Sequence, residues 1–169
     1  MSIRRTSILR LSGQRVAIFL CLLVMMACAR ESADDLFSKG ERATHDVHTF
    51  DEAIRHLTAF LAGYGDDPRA DVAMQALARV YQAQGKSEIA IKTYQDLTTK
   101  FPKSRYADQA QFMIGYIHDF AGDKVSAIKA YEEVIARFPR SGLADDAKIS
   151  IANINKPLED WIASEGSTQ

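Results

Sequence analysis

The 169-residue chain has the composition of one globular domain, with 47% hydrophobic and 25% charged residues. Its first 28 residues hold four arginines and no acidic side chain, which leaves 17 basic against 22 acidic residues in the remainder. Proteins that bind nucleic acid need clustered Lys and Arg to displace counterions from phosphates. The acidic balance therefore argues against a nucleic-acid partner.

The first 27 residues have the layout of an export signal. A basic segment, MSIRRTSILRLSGQR, precedes an apolar run, VAIFLCLLVMMA, and small residues follow. The apolar run is 12 residues long, whereas a helix that spans a bilayer takes roughly 20. The pattern predicts a secretory signal peptide over residues 1–27, with an uncleaved anchor helix as the less fitting alternative.

Two cleavage sites compete at the end of this segment. The tetrapeptide MMAC, residues 25–28, resembles a bacterial lipobox, which implies palmitate on Cys28 and a polar tether over residues 28–33. Because Ala29 rather than Asp follows the cysteine, the resemblance implies the periplasmic side of the outer membrane. The alternative is an Ala27-x-Ala29 site for ordinary signal peptidase, which releases a soluble periplasmic protein that starts at Arg30.

Cysteine usage favours the lipoprotein. The chain has two cysteines, and Cys21 lies inside the apolar run. Acylation of Cys28 would leave the mature chain without a free thiol, which suits an oxidising compartment.

A period of 37 residues organises the rest of the chain. Identical residues recur at this spacing: Gly85 and Gly122, Ala90 and Ala127, Tyr94 and Tyr131, Phe101-Pro102 and Phe138-Pro139, Ser104 and Ser141. An earlier segment matches less closely, through Ala53 and Ile54. A fixed period between 20 and 50 residues indicates stacked supersecondary units.

Each unit reads as two helices. The segment ADVAMQALARVYQAQG has apolar residues three and four apart, as an amphipathic helix does, and SEIAIKTYQDLTTKF repeats the pattern. Gly85 predicts the left-handed turn that ends the first helix, and Pro102 ends the second. The predicted helix starts are Ser104 as an N-cap, Asp67-Pro68 as a cap followed by proline, and Thr49 with Glu52 as a capping box.

These spaced residues resemble the tetratricopeptide repeat, a helix-turn-helix unit of about 34 residues. Its skeleton falls on Leu77, Ala78, Tyr81, Ala90, Tyr94 and Pro102 in one copy, and on Ile114, Gly115, His118, Ala127, Tyr131 and Pro139 in the next. The resemblance implies an all-α fold, a short right-handed solenoid over residues 34–165. Its units would be 34–67, 71–104 and 108–141, with a partial capping unit at 142–165. Gly40-Glu41 inside the first helix marks the 34–67 unit as degenerate.

The FPKSRYADQA signature and the three residues beyond the usual repeat length narrow the resemblance to envelope proteins. The segment is similar to BamD-like barrel-assembly lipoproteins and to the C-terminal domain of YbgF-like proteins associated with Tol-Pal. This implies a non-catalytic scaffold or adaptor for envelope proteins, linked to outer-membrane protein assembly. The alternative is a YbgF-like periplasmic accessory subunit that regulates a cell-wall or Tol-Pal complex.

Candidate partner residues lie on the first helices of the units, which line the concave side of such a solenoid. Phe112, Tyr116 and Phe120 recur every four residues, with Asp119 beside them. They predict an aromatic surface that receives an apolar peptide or helix.

One repeat earlier, Arg79 and Gln82 hold positions that match part of this stripe, and they predict polar contacts at its rim. An alternative exists for each group. Trp161 and Ile162 could fold back over the aromatic stripe, and Arg79 and Gln82 could belong to a solvated helix face.

One candidate metal cluster is present, formed by His45 and His48 with Asp46 and Asp51 nearby. The H-x-x-H pair lacks the intervening Glu of a zincin and a defined third ligand, so a polar loop is the preferred interpretation. The sequence has no glycine-rich phosphate loop, no G-x-S-x-G elbow and no mature cysteine nucleophile. We therefore predict no enzyme activity, no metal and no cofactor, with a metal-dependent enzyme as the alternative; the oligomeric state stays open.

We predict that Cys28→Ser abolishes palmitate labelling in a bacterial host, because no other cysteine remains in the chain after signal cleavage. Metabolic labelling with palmitate and purification of the chain is the measurement. Cys21→Ser, within the apolar run, is the control and keeps the label. Palmitate label that persists on the Cys28→Ser chain would contradict the prediction of a lipid anchor on Cys28.

Overall fold

The computed structural model describes residues 31–156, and this range is helical. Seven α-helices follow one another: α1 (Ala33–Ala43), α2 (Phe50–Gly63), α3 (Ala70–Ala83), α4 (Ser87–Lys100), α5 (Ala107–Phe120), α6 (Lys124–Arg137) and α7 (Gly142–Ile154). A 3-10 turn, Val47–Thr49, precedes α2. No strand occurs between residues 31 and 156, which confirms the all-α prediction. The signal segment, Cys28 and the pair Trp161 and Ile162 lie outside the described residues.

Within the described range, each helix is too short or too polar to cross a bilayer.

Successive helices form hairpins: α1 with α2, α3 with α4, and α5 with α6, while α7 packs against α6 and α5. The turns inside the second and third hairpins depend on glycine. Gly85 has φ 71° and Gly122 has φ 78°, a left-handed conformation that glycine adopts at no steric cost. In the first of these turns, Lys86 N donates to Tyr81 O at 2.9 Å and closes the helix end. The predicted role of Gly85 is thereby confirmed.

A small residue lets the two helices of each hairpin approach closely. A Cβ atom placed on Gly115 of α5 would lie 2.7 Å from the ring of Tyr131 on α6. A Cβ atom on Gly40 of α1 would lie 2.8 Å from the side chain of Leu57 on α2. In the second hairpin, Ala78 is fully buried at the equivalent place. Gly40 is therefore a packing residue of the first hairpin.

The apolar cores lie between neighbouring hairpins as well as inside them. One cluster draws on α3, α4, α5 and α6 through Met74, Ala78, Ala90, Tyr94, Leu97, Ala107, Ala110, Ile114, Ile117 and Ala130. A second joins α1, α2 and α3 through Leu36, Leu57, Phe60, Ala73 and Leu77. Each hairpin shares its core with the next, as stacked repeats do.

The predicted capping box at the start of α2 is wrong. Thr49 makes no side-chain cap. Its hydroxyl instead donates to the carbonyls of Ala43 and Asp46, at 2.9 Å each. The 3-10 turn has brought these two carbonyls within reach, so the hydroxyl ties the end of α1 to the connection before α2.

Ser104 links two repeats instead of capping α5, which begins at Ala107. Its hydroxyl donates to Asp71 Oδ2 at 2.6 Å, in the first turn of α3, and accepts from Tyr106 N at 3.1 Å. One repeat later, Ser141 donates to Asp108 Oδ2, again at 2.6 Å. The recurring serine therefore links neighbouring repeats, and Ser141 also caps α7 by accepting from Leu143 N at 3.2 Å.

The first junction uses an arginine in place of the serine. Arg69 joins Asp34 of α1 to Asp67 of the following loop, at 2.7 and 2.8 Å. Asp67 Oδ1 also accepts from Arg69 N at 2.9 Å. Because this turn extends to Arg69, α3 begins at Ala70, two residues later than the Asp67-Pro68 pattern predicts.

Candidate protein-binding surface

A groove of about 420 Å³ lies between the first helices α3 and α5. It is lined by Gln75, Arg79, Gln82, Ala83, Tyr94, Gln109 and Met113. The structure thus places Arg79 and Gln82 on a single groove. The Tyr94 hydroxyl reaches it from α4 and donates to Gln82 Oε1 at 3.2 Å. The groove has a polar wall held in place by this hydrogen bond.

Gln75 adds a buried polar group that the sequence analysis missed. Its side chain is 5% exposed, and Nε2 donates to Gln109 Oε1 at 3.1 Å. Its Oε1 has no hydrogen-bond partner among residues 31–156. A buried amide oxygen without a donor costs roughly 1–3 kcal/mol, and an N–H group of a bound segment would offset this cost. The position of Gln75 one turn before Arg79, in the same stripe, was the signal that could have found it.

Tyr116 and Phe120 form an exposed aromatic pair on α5. Tyr116 is 45% exposed and Phe120 is 86% exposed. Their ring centroids are 6.5 Å apart, and the ring planes differ by 20°. Tyr116 lies one repeat after Arg79, so the aromatic pair continues the same line of positions along the first helices.

The other two predicted residues of this stripe are less accessible. Phe112 is half-buried, with its ring centroid 5.1 Å from that of Tyr131. Asp119 is also half-buried, and its charge raises the pKa of Tyr131 in addition to the larger effect of burial. Among the four residues, Tyr116 and Phe120 therefore present the larger free surfaces. The proposed cover, Trp161 with Ile162, lies outside the described residues.

Burial sets the protonation state of the tyrosines behind the groove. It raises the pKa of Tyr94 to about 12, against an opposing effect of the Arg79 charge. It also raises the pKa of Tyr131, against a hydrogen bond with Ser150. Both hydroxyls thus stay neutral at physiological pH, and that of Tyr94 donates its hydrogen bond to Gln82.

The loop with the candidate metal ligands has a structural role. Asp46 Oδ1 accepts from His48 N at 2.9 Å and caps the 3-10 turn, while Asp51 accepts from Gln84 Nε2 at 3.2 Å. Over residues 31–156, no three side chains of His, Cys, Asp or Glu are grouped so that they could hold a metal ion.

We predict that alkaline pH destabilises the fold through Tyr94, and that Tyr94→Phe reduces this effect. The folded state favours the neutral Tyr94 hydroxyl, so this group stabilises the fold fully at pH values below its unfolded pKa of about 10. That stabilisation is lost as the pH rises toward the folded value of about 12. Urea unfolding at pH 8 and pH 11.5 is the measurement. Between these pH values the free energy of unfolding should fall by about 1–2 kcal/mol less in Tyr94→Phe than in the unaltered protein. Equal losses in both proteins would contradict the prediction.

Comparison with known proteins supports this reading of the fold. A sequence model of the tetratricopeptide repeat matches residues 72–104 and 109–141. PcrH from Pseudomonas aeruginosa is similar in structure, with a TM-score of 0.58 and 16% identity over 75% of this chain and 96% of that chain.

The TPR2AB domain of yeast Sti1, in its pHSP90 complex, has a TM-score of 0.57 and 18% identity over 72% of this chain. The match covers 47% of the Sti1 chain, so this protein spans about half of its length. A comparison with curated protein sequences gave no match. The two matched segments, residues 72–104 and 109–141, correspond to the hairpins of α3 with α4 and of α5 with α6, so the comparisons and the hairpin geometry agree on a tetratricopeptide-like fold.

Proposed function

We propose that the chain is a non-catalytic adaptor of the bacterial cell envelope that holds a partner protein on its first helices. Tetratricopeptide repeats form protein–protein interaction scaffolds, and the groove between α3 and α5 has the rigid helical walls of such a scaffold. Because the walls are preformed, binding orders the partner but not the receptor, which preserves affinity.

The observation that carries this proposal is the exposed Tyr116–Phe120 stack. An aromatic pair with 45% and 86% of its surface exposed is costly in water unless a partner covers it. Aromatic side chains are frequent anchors of protein interfaces. The pair lies next to a groove with a cationic side chain, Arg79, which makes no ion pair with a described residue. A partner segment would therefore combine an apolar anchor with polar or acidic groups.

Location in the envelope is supported by the order of basic, apolar and small residues over 1–29 and by Cys28. We propose a lipid anchor on Cys28 that holds the repeats on the periplasmic side of the outer membrane, in a role linked to outer-membrane protein assembly. The second candidate is a YbgF-like accessory subunit of a cell-wall or Tol-Pal complex. Both use the same surface, so the identity of the partner separates them.

We predict that Tyr116→Ala with Phe120→Ala weakens partner binding by about tenfold or more, since loss of an aromatic anchor costs at least about 1–2 kcal/mol. A photoreactive residue at position 116 in living cells identifies the partner. The matched control is Ile89, which is 47% exposed but lies on the second helix α4. Ile89→Ala should leave binding unchanged, and position 89 should not capture the same protein.

Capture of barrel-assembly components at position 116 would support the first role, and capture of cell-wall or Tol-Pal proteins the second. Equal capture at positions 116 and 89, or full binding by the double variant, would contradict the proposal that Tyr116 and Phe120 bind the partner. Capture of cytoplasmic proteins alone would contradict the proposed location in the cell envelope.

A further inference from the structure

A second cavity lies on the other side of α5. It measures about 500 Å³ and opens between the second helices α4 and α6. On α5 it is lined by Gln111, Ile114 and His118, whereas the groove described above uses Gln109 and Met113. At 100° per residue these two sets point to opposite faces of the helix. The cavity is therefore separate from the proposed partner surface.

The lining is mostly polar. Around the three residues of α5 stand Gln95, Thr98 and Thr99 of α4 and Ser126, Lys129, Ala130, Glu133 and Arg137 of α6. A cavity of this size matches the usual range for small ligands, about 300–1,000 Å³, but its polar walls suit a hydrophilic one.

The preceding junction, one repeat earlier, has an apolar filling at the same places. Thr98 corresponds to Leu61, Gln111 to Met74 and His118 to Tyr81. Met74 belongs to a buried core cluster, and Leu61 and Tyr81 pack against it. Polar side chains thus replace apolar ones at these three places of the second junction, and the cavity lies beside them.

The floor of this cavity is fixed by hydrogen bonds. The Gln111 side chain is 3% exposed; its Nε2 donates to Ala130 O at 3.2 Å, and its Oε1 accepts from Arg137 Nη1 at 3.2 Å. Arg137 Nη2 also donates to Thr98 O at 3.1 Å. A buried amide is less favourable than a methionine unless its hydrogen bonds are made. Here they are made, and they hold a guanidinium at the cavity with further N–H donors unused.

We propose that this cavity binds a small hydrophilic ligand through an oxyanion, a carboxylate or a phosphate. Arg137 and Lys129 supply two permanent positive charges, and neither forms an ion pair with a described residue. Glu133 is the acidic residue of the lining. At the end of α5, His118 Nδ1 lies 3.5 Å from Asp123 Oδ2. Two cationic side chains against one acidic side chain in the same lining favour an oxyanion over a neutral or cationic ligand.

The charge of Lys129 provides the first test. Lys129→Gln should weaken binding of inorganic phosphate or acetate by about tenfold, because it removes a charged donor. Lys92→Gln, the equivalent change one repeat earlier, is the matched control and should bind as the unaltered protein does. Titration followed by the NMR signal of the Gln111 side-chain amide is the measurement. Binding of phosphate but not acetate would indicate a phosphate ester, and the reverse a carboxylate.

A filled variant provides the second test. Thr98→Leu with Gln111→Met imports the residues of the preceding repeat; it should raise the midpoint of thermal unfolding and remove anion binding. Chloride at matched ionic strength corrects for general salt effects. Loss of binding in the filled variant supports the site. The proposal is overturned if neither anion binds, if both lysine variants bind alike, or if the filled variant keeps its binding, since the cavity would then hold only water.

Discussion

Close contact between the two helices of each hairpin is the constraint on which the structure depends. Gly115 meets the Tyr131 ring, and Gly40 meets Leu57, at distances that leave no space for a Cβ atom. This approach fixes how the second helix lies on the first and therefore which faces remain for the next hairpin. The cores shared between hairpins and the inter-repeat bond from Ser104 form on these faces.

The stacked hairpins present two kinds of surface with different consequences. The first helices present one line of positions, in which Arg79 on the groove and Tyr116 in the next repeat are equivalent but differ in chemistry. The second helices cover the junctions between repeats from the other side. There, polar side chains such as Gln111 stand where the preceding junction has apolar ones such as Met74, and a polar cavity lies beside them. In a repeat architecture, the side chain at one position can therefore differ in chemistry between repeats while the helices keep the same arrangement.

The period of the sequence predicted the hairpins because apolar spacing and turn glycines act locally. Gly85 ends its helix as expected, since its positive φ depends on no distant residue. Predictions that depended on other parts of the chain did less well. The packing role of Gly40 depends on Leu57, which lies on the next helix, and the Thr49 hydroxyl donates to carbonyls that only the 3-10 turn brings near. The cavity at Gln111 could not be predicted from the sequence, because its lining comes from three helices whose contacts only the structure gives.

A double-mutant cycle between Gly115 and Tyr131 tests the central contact most directly. Gly115→Ala should lower the free energy of unfolding by about 1–3 kcal/mol, because the added methyl group meets a buried ring. In a Tyr131→Leu background the same change should cost little, which gives a coupling energy above about 1 kcal/mol. Gly142→Ala, where no atom lies within 4 Å, should be additive with Tyr131→Leu. The account is contradicted if Gly115→Ala is also additive, or if it stabilises the protein as an unobstructed glycine-to-alanine change in a helix does.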